Sequence, residues 1–179
     1  MAFNIDIIEA SSTREIKERL ALSLDKYGHI LPASKTAGIL IKPNLNANMN
    51  ALTGNTTDLR LLAAVIEYLK VNGYKNITIG EGTNSGYYRN NISVVSRLKI
   101  DELAKYYGVK AIDFNFAEPV YIAFENGVKA CIAKDCAEAD FIINMPKLKT
   151  HFEVGMSVCL KNLMGCLVGQ ENKKKTHKS

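Results

Sequence analysis

Phe141-Ile-Ile-Asn-Met-Pro-Lys-Leu-Lys-Thr-His151 decides the reading of this chain. Its first residues form a continuous apolar run, as expected of a strand buried on both faces of a parallel sheet. The run passes directly into Asn144, Pro146, Lys147, Lys149 and His151. Two further segments share that design: Ile39-Leu-Ile-Lys-Pro-Asn44 and Ile77-Thr-Ile-Gly-Glu-Gly82. In open α/β sheets, ligands bind beyond the carboxyl ends of the strands. If the three strands are parallel, Lys42, Asn44, Glu81, Asn144, Lys147, Lys149 and His151 line one crevice. The prolines hold the preceding residues extended and so keep those side chains near the strand ends.

The flanking sequence alternates strand and helix. Asn4–Ile8 reads as a first strand. Ser12-Thr-Arg-Glu15 has the form of a capping box, starting a helix to about Tyr27 with Ile16, Leu20 and Leu24 on one face and Gly28 as its end. Ala37–Ile41 reads as a buried strand. An asparagine-rich loop, 44–55, precedes a helix over Leu59–Val71 capped by Thr57 or Asp58. Ile77–Ile79 is the next strand, followed by a polar loop over 83–91. Ser93–Tyr107 reads as helix, broken near Ile100-Asp101, and Lys110–Asp113 as strand. Val120–Phe124 and Val128–Ala133 flank Glu125-Asn-Gly127, a hairpin signal. Ala139–Asn144 is the last strand, and Val158–Val168 a helix with glycine breaks. These elements predict an α/β fold: a mainly parallel open sheet with flanking helices, Rossmann-like and three-layered, plus one antiparallel hairpin.

The 179 residues are 47% hydrophobic and 23% charged, with a formal net charge of +5. That is an ordinary soluble composition of single-domain length. Lys173-Lys-Lys-Thr-His-Lys-Ser179 carries four lysines and no acid, so most of the excess charge sits in what reads as a solvated tail. A nucleic-acid footprint spreads over a face of the fold; nucleic acid is a poor partner here. No apolar stretch approaches the roughly 18 residues needed to span a bilayer, and no signal peptide is visible. The expected location is the cytoplasm, without membrane insertion. The end of the chain reads as unfinished, as if 1–179 were one α/β domain forming the N-terminal portion of a longer protein.

Cys131, Cys136, Cys159 and Cys166 are spaced C-x4-C and C-x6-C. Structural zinc and ferredoxin-type clusters use tighter pairs, so no metal site is assigned and the cysteines read as ordinary thiols. The crevice residues carry more chemistry. Lysine ammoniums suit phosphate or carboxylate. Lys42, Lys147, Lys149 and Lys161 would hold negative charge, and Asn44, Asn144 and Asn162 would orient the ligand. Glu81 or His151 would move protons, and Lys149 could act as base or nucleophile if burial lowers its pKa. Phosphate-binding glycine motifs are absent, so no cofactor is named.

Ile41-Lys-Pro-Asn44, the helix start at Thr57-Asp58, Gly80-Glu-Gly82, Ile143–His151 and Leu160-Lys-Asn-Leu-Met-Gly165 together resemble the DUF362 family of uncharacterised prokaryotic proteins. The resemblance covers about residues 37–169. It implies an association with ferredoxin-like segments binding two [4Fe–4S] clusters, and redox work for some members. This chain lacks that iron–sulfur cassette, and the family domain normally extends further. Two functions follow as expectations. One is an enzyme-like domain binding an anionic small molecule or its metal complex. The other is a non-catalytic module docking an acidic ferredoxin-like domain or protein.

Overall fold

The computed structural model describes residues 5–83, 90–123, 125, 127, 129–151, 155–169 and 173. Its centre is a four-stranded parallel sheet of β1 (Ile39–Pro43), β2 (Ile77–Glu81), β3 (Lys110–Asp113) and β6 (Phe141–Met145), in the order β3-β2-β1-β6. β1 is buried throughout, as its apolar run requires. β1 pairs with β2 in the register Ile41↔Ile79, and with β6 in the register Ile41↔Ile143 and Lys42↔Asn144. From β1 the chain builds outward to β2 and β3, then returns to add β6 on the other side. The strand order therefore reverses between β1 and β6, the place where crevices open in such sheets.

Helices cover one face. α1 (Thr13–Lys26) starts with the reciprocal capping box of Ser12 and Glu15. α2 (Leu59–Val71) is capped by the Asp58 side chain, which accepts from Arg60 N, and buries Leu62, Val65, Ile66 and Leu69. The predicted helix over 93–107 is two helices, α3 (Val94–Arg97) and α4 (Ile100–Tyr107), with Lys99 left-handed between them. Their apolar residues join Ile39, Ile41, Ile77 and Ile79 in the main core.

A smaller core lies on the opposite face, around Leu40, Phe114, Ala133, Cys136 and Cys166. It is covered by the antiparallel hairpin of β4 (Pro119–Ala123) and β5 (Lys129–Ala133), by α5 (Lys134–Ala137), and by the 3-10 turn Met164–Cys166 that follows α6 (Cys159–Leu163). Gly80 faces Phe114 so closely that a Cβ would stand 2.0 Å from the ring; here glycine makes room for the aromatic side chain.

Several expectations need correction. Residues 5–8 form no strand, and Ile5 and Ile7 are exposed; apolar alternation there is not matched by a neighbour for pairing. The asparagine-rich loop contains a 3-10 turn, Ala51–Thr53, whose start Asn50 caps. The fold has a second hairpin, β7 (Lys149–His151) with β8 (Gly155–Ser157), where the sequence suggests a loop. The helix expected over 158–168 is a five-residue α6 followed by the 3-10 turn. The loop at 84–89, residues 124, 126 and 128 of the first hairpin, and the tail at 174–179 lie outside the described residues. No helix among the described residues is long and apolar enough to cross a membrane.

Candidate functional site

The ends of β1, β2 and β6 converge as parallel pairing requires, and the side chains there fall into two layers. The inner layer is a buried ion pair. Lys42 Nζ stands 2.8 Å from Glu81 Oε1, with side-chain exposures of 0% and 5%. Lys42 also donates to the Pro43 carbonyl at 3.0 Å. Glu81 accepts from Leu45 N at 3.0 Å and from Gly82 N at 2.8 Å. Each charge is matched, so this pair is a structural floor; Lys42 spends its charge on Glu81 rather than facing outward, and both Glu81 oxygens are already occupied.

A lattice of amides and one hydroxyl ties the floor to its surroundings. Thr57 Oγ1 accepts from Asn44 N and donates to the Met145 carbonyl, both at 2.8 Å, clamping the ends of β1 and β6 together. Asn162 donates to the Lys42 carbonyl at 3.1 Å and to Asn144 Oδ1 at 2.7 Å. Asn144 in turn donates to the Cys159 carbonyl at 2.9 Å. Asn162 and Asn144 therefore fix α6 across the β1–β6 switch, which explains a buried asparagine in a mostly apolar segment: buried amides must find partners.

The outer layer is cationic. Lys149, at the start of β7, reaches back to donate to Asn55 Oδ1 at 2.7 Å, Asn55 O at 2.8 Å and Asn44 Oδ1 at 3.5 Å. Its pKa is lowered, chiefly by burial and further by the Lys161 cation, while Glu81 pulls the other way. Lys147 lies in the field of Asp58, whose carboxyl is held down first by its hydrogen bond from Arg60. Among the described residues no carboxylate forms an ion pair with Lys147, Lys149 or Lys161. His151 ends β7 and is half-buried. Among the described residues, no three His, Cys, Asp or Glu side chains gather as a metal site.

Lys173 is the residue that sequence reading missed. In sequence it reads as part of a solvated basic tail, yet it is buried. It donates to the carbonyls of Gly82 at 2.7 Å and Thr83 at 3.2 Å, and to Asn115 Oδ1 at 3.0 Å. Nothing in a run of lysines marks which one turns inward. Asn55, Thr57 and Asn115 were missed for a similar reason: their partners are remote in sequence.

Burial holds the Lys173 ammonium down to about 8, against the attraction of Glu81 and with the repulsion of Lys42. An unfolded lysine keeps its proton to about 10.5. Between those values the unfolded chain binds the extra proton, so this group's contribution to stability rises with pH, by on the order of 3 kcal/mol over the whole window. Tyr68 and Tyr107 act oppositely. Burial first, then the acceptors Asp25 and Glu67, push them up to about 12. They keep protons that the unfolded chain loses above pH 10, so their contribution falls from there upward. Urea midpoints are expected to climb from pH 8 and turn over near pH 10, and the climb should be shallower in Lys173→Met. An equal slope in that variant would show that Lys173 is not the titrating group.

The family model described as "Domain of unknown function (DUF362)" matches residues 39–179. A curated relative, a thylakoid-associated protein of Synechocystis sp., is 44% identical over 39 residues, which are 22% of this chain and 12% of that protein. The match thus spans a small part of either protein. No solved structure matches the chain significantly.

Proposed function

We propose that this chain, which belongs to the DUF362 family, binds an anionic small molecule, alone or as its metal complex, above the β1–β6 switch. One observation carries the reading. Lys149 and Lys161 lie within each other's field beside the crevice, and the acceptors that hold Lys149 are neutral amide oxygens. Glu81 also attracts Lys149 but is already paired with Lys42, so an anion between the two lysines would relieve a repulsion that the neutral amides leave in place. The Lys42–Glu81 pair supports the reading by filling the floor with matched charge, which leaves the outer lysines to meet the ligand. Asn44 and Asn144 present amides beside them, and His151 stands at the end of β7. An enzymatic role would use Lys149, already partly desolvated, as the base or nucleophile.

The test is native mass spectrometry of the chain purified without oxygen. Wild type is expected to retain a bound anionic mass, and Lys149→Ala to lose it, with at least a ten-fold fall in affinity when one charged hydrogen bond is removed. Unchanged retention in Lys149→Ala would sink the assignment.

A docking role is favoured by a different observation. Leu148, Met156 and Leu160 are exposed around the same lysines, at 68%, 58% and 86%. Apolar residues set among cations are suited to an acidic protein surface such as a ferredoxin-like partner. That reading predicts an empty protein in the same spectrum, and a complex with acidic ferredoxin that weakens steeply with salt.

A further inference from the structure

The site uses neither Cys136 nor Cys166, and these two thiols are the reactive feature it leaves over. Both are buried, in the smaller core. They lie 30 positions apart in sequence, on α5 and on the turn Met164–Cys166, yet their side chains are hydrogen-bonded to each other. The backbone holds them in register. Val168 N donates to the Cys131 carbonyl at 2.9 Å, and Leu167 bridges Ile132, so the strand leading into α5 and the chain leaving the turn are pinned side by side. Lys42 lends both sulfurs a positive field. With Cys166 as its donor, the Cys136 thiol is held below its usual range, and Cys166 is pushed up. Cys136 is the less enclosed of the two, at 9% exposed against 5% for Cys166, which makes it the thiol a small oxidant meets first.

We infer that Cys136 and Cys166 form a dithiol site that a hydroperoxide oxidises to an intramolecular disulfide. The Cys136 thiolate attacks the terminal peroxide oxygen; an S–O bond forms and the O–O bond breaks. The leaving oxygen departs as water (or alcohol), taking the proton that Cys136 released. The Cys166 sulfur then attacks the Cys136 sulfur, the S–O bond breaks, and the hydroxyl leaves as water with the Cys166 proton. Two thiols are oxidised and one peroxide is reduced. The product ties the turn Met164–Cys166 to α5. Gly165, inside that turn, is packed against Glu81 and Lys42, so the cross-link fixes the backbone that lies over the ion pair. The inference does not depend on anion binding.

The test oxidises the full chain with hydrogen peroxide in native buffer. The exposed Cys159 is replaced by serine to prevent links between molecules. A loss of about 2 Da is expected, with non-reducing digestion joining the peptides that contain Cys136 and Cys166. In Cys166→Ser the reaction should stop at a sulfenic acid on Cys136, trapped by dimedone. A link to Cys131 instead, no link while the protein remains folded, or dimedone on another cysteine would each overturn the inference. The wild-type peptide map decides the matter even if the serine variants fold poorly.

Discussion

Replacing Glu81 by alanine is expected to destabilise the fold by about 3–5 kcal/mol, read as a fall in the urea midpoint at pH 7. Lys42 is wholly buried, and apart from Glu81 it has the Pro43 carbonyl as acceptor. Without the carboxylate, an ammonium remains in the interior with most of its hydration unreplaced, and the amides of Leu45 and Gly82 lose the oxygens they point to. The same pair is a poor source of net stability, because desolvation of both charges consumes most of their attraction. Lys42→Met with Glu81→Gln is therefore expected to recover at least half of the loss: it removes both charges and keeps one amide oxygen for the backbone donors. A single Glu81→Ala variant within about 1 kcal/mol of wild type would mean that water already reaches the pair. The charges then belong to an open site and not to its floor.

That distinction governs how the functional reading is apportioned. Seen in sequence, Lys42 and Lys149 look alike: each lies within three residues of a proline at a strand end. The fold separates them. Lys42 shares the inward-facing alternation of β1 with Leu40, so it enters the core and needs an internal partner; Glu81 at the end of β2 supplies it. Lys149 comes after Pro146, where the chain has left the sheet, and its acceptors come from the asparagine loop before α2.

What was legible in the chain follows from local physics. Capping boxes, apolar runs and glycine stops act within a few residues, so α1, α2, β3 and the parallel sheet emerge with small errors at their ends. The motif residues at the strand ends also come together, because three parallel strands with one design must end on one edge. The rest depends on distant partners. A strand at 5–8 requires a neighbour, and alternation alone does not provide one. The β7–β8 hairpin lacks the Asn-Gly signal that marks β4–β5, so Lys149–His151 reads as loop. Lys173 is hidden by its own neighbours in sequence: its inward turn is set by the carbonyls of Gly82 and Thr83 and the amide of Asn115, about ninety and sixty positions away along the chain.

Gly165→Ala is expected to be strongly destabilising. A Cβ at this position would stand 1.9 Å from Glu81 Oε1, 2.8 Å from Lys42 Nζ and 2.9 Å from Lys42 Cε. The carboxylate cannot swing aside cheaply, since Lys42 and two backbone amides hold it. Nor can the turn lift freely: Asn162, three residues earlier, is bonded to the Lys42 carbonyl and to Asn144. Overpacking costs typically 1–3 kcal/mol, and here the displaced group is a buried charge, so a loss of about 3 kcal/mol is expected. The decisive measurement is a double-mutant cycle. In a Glu81→Ala background the closest obstruction is gone and the end of the Lys42 side chain, no longer held by its partner, can yield, so the alanine at 165 should cost at least about 1 kcal/mol less than in wild type, a coupling above experimental error. Additive losses would mean that the glycine is required by something other than the ion pair. Strong coupling would tie the two halves of the sequence pattern together: Asn162 reaches across the switch between β1 and β6, and Gly165 lets the turn settle directly onto the paired charges.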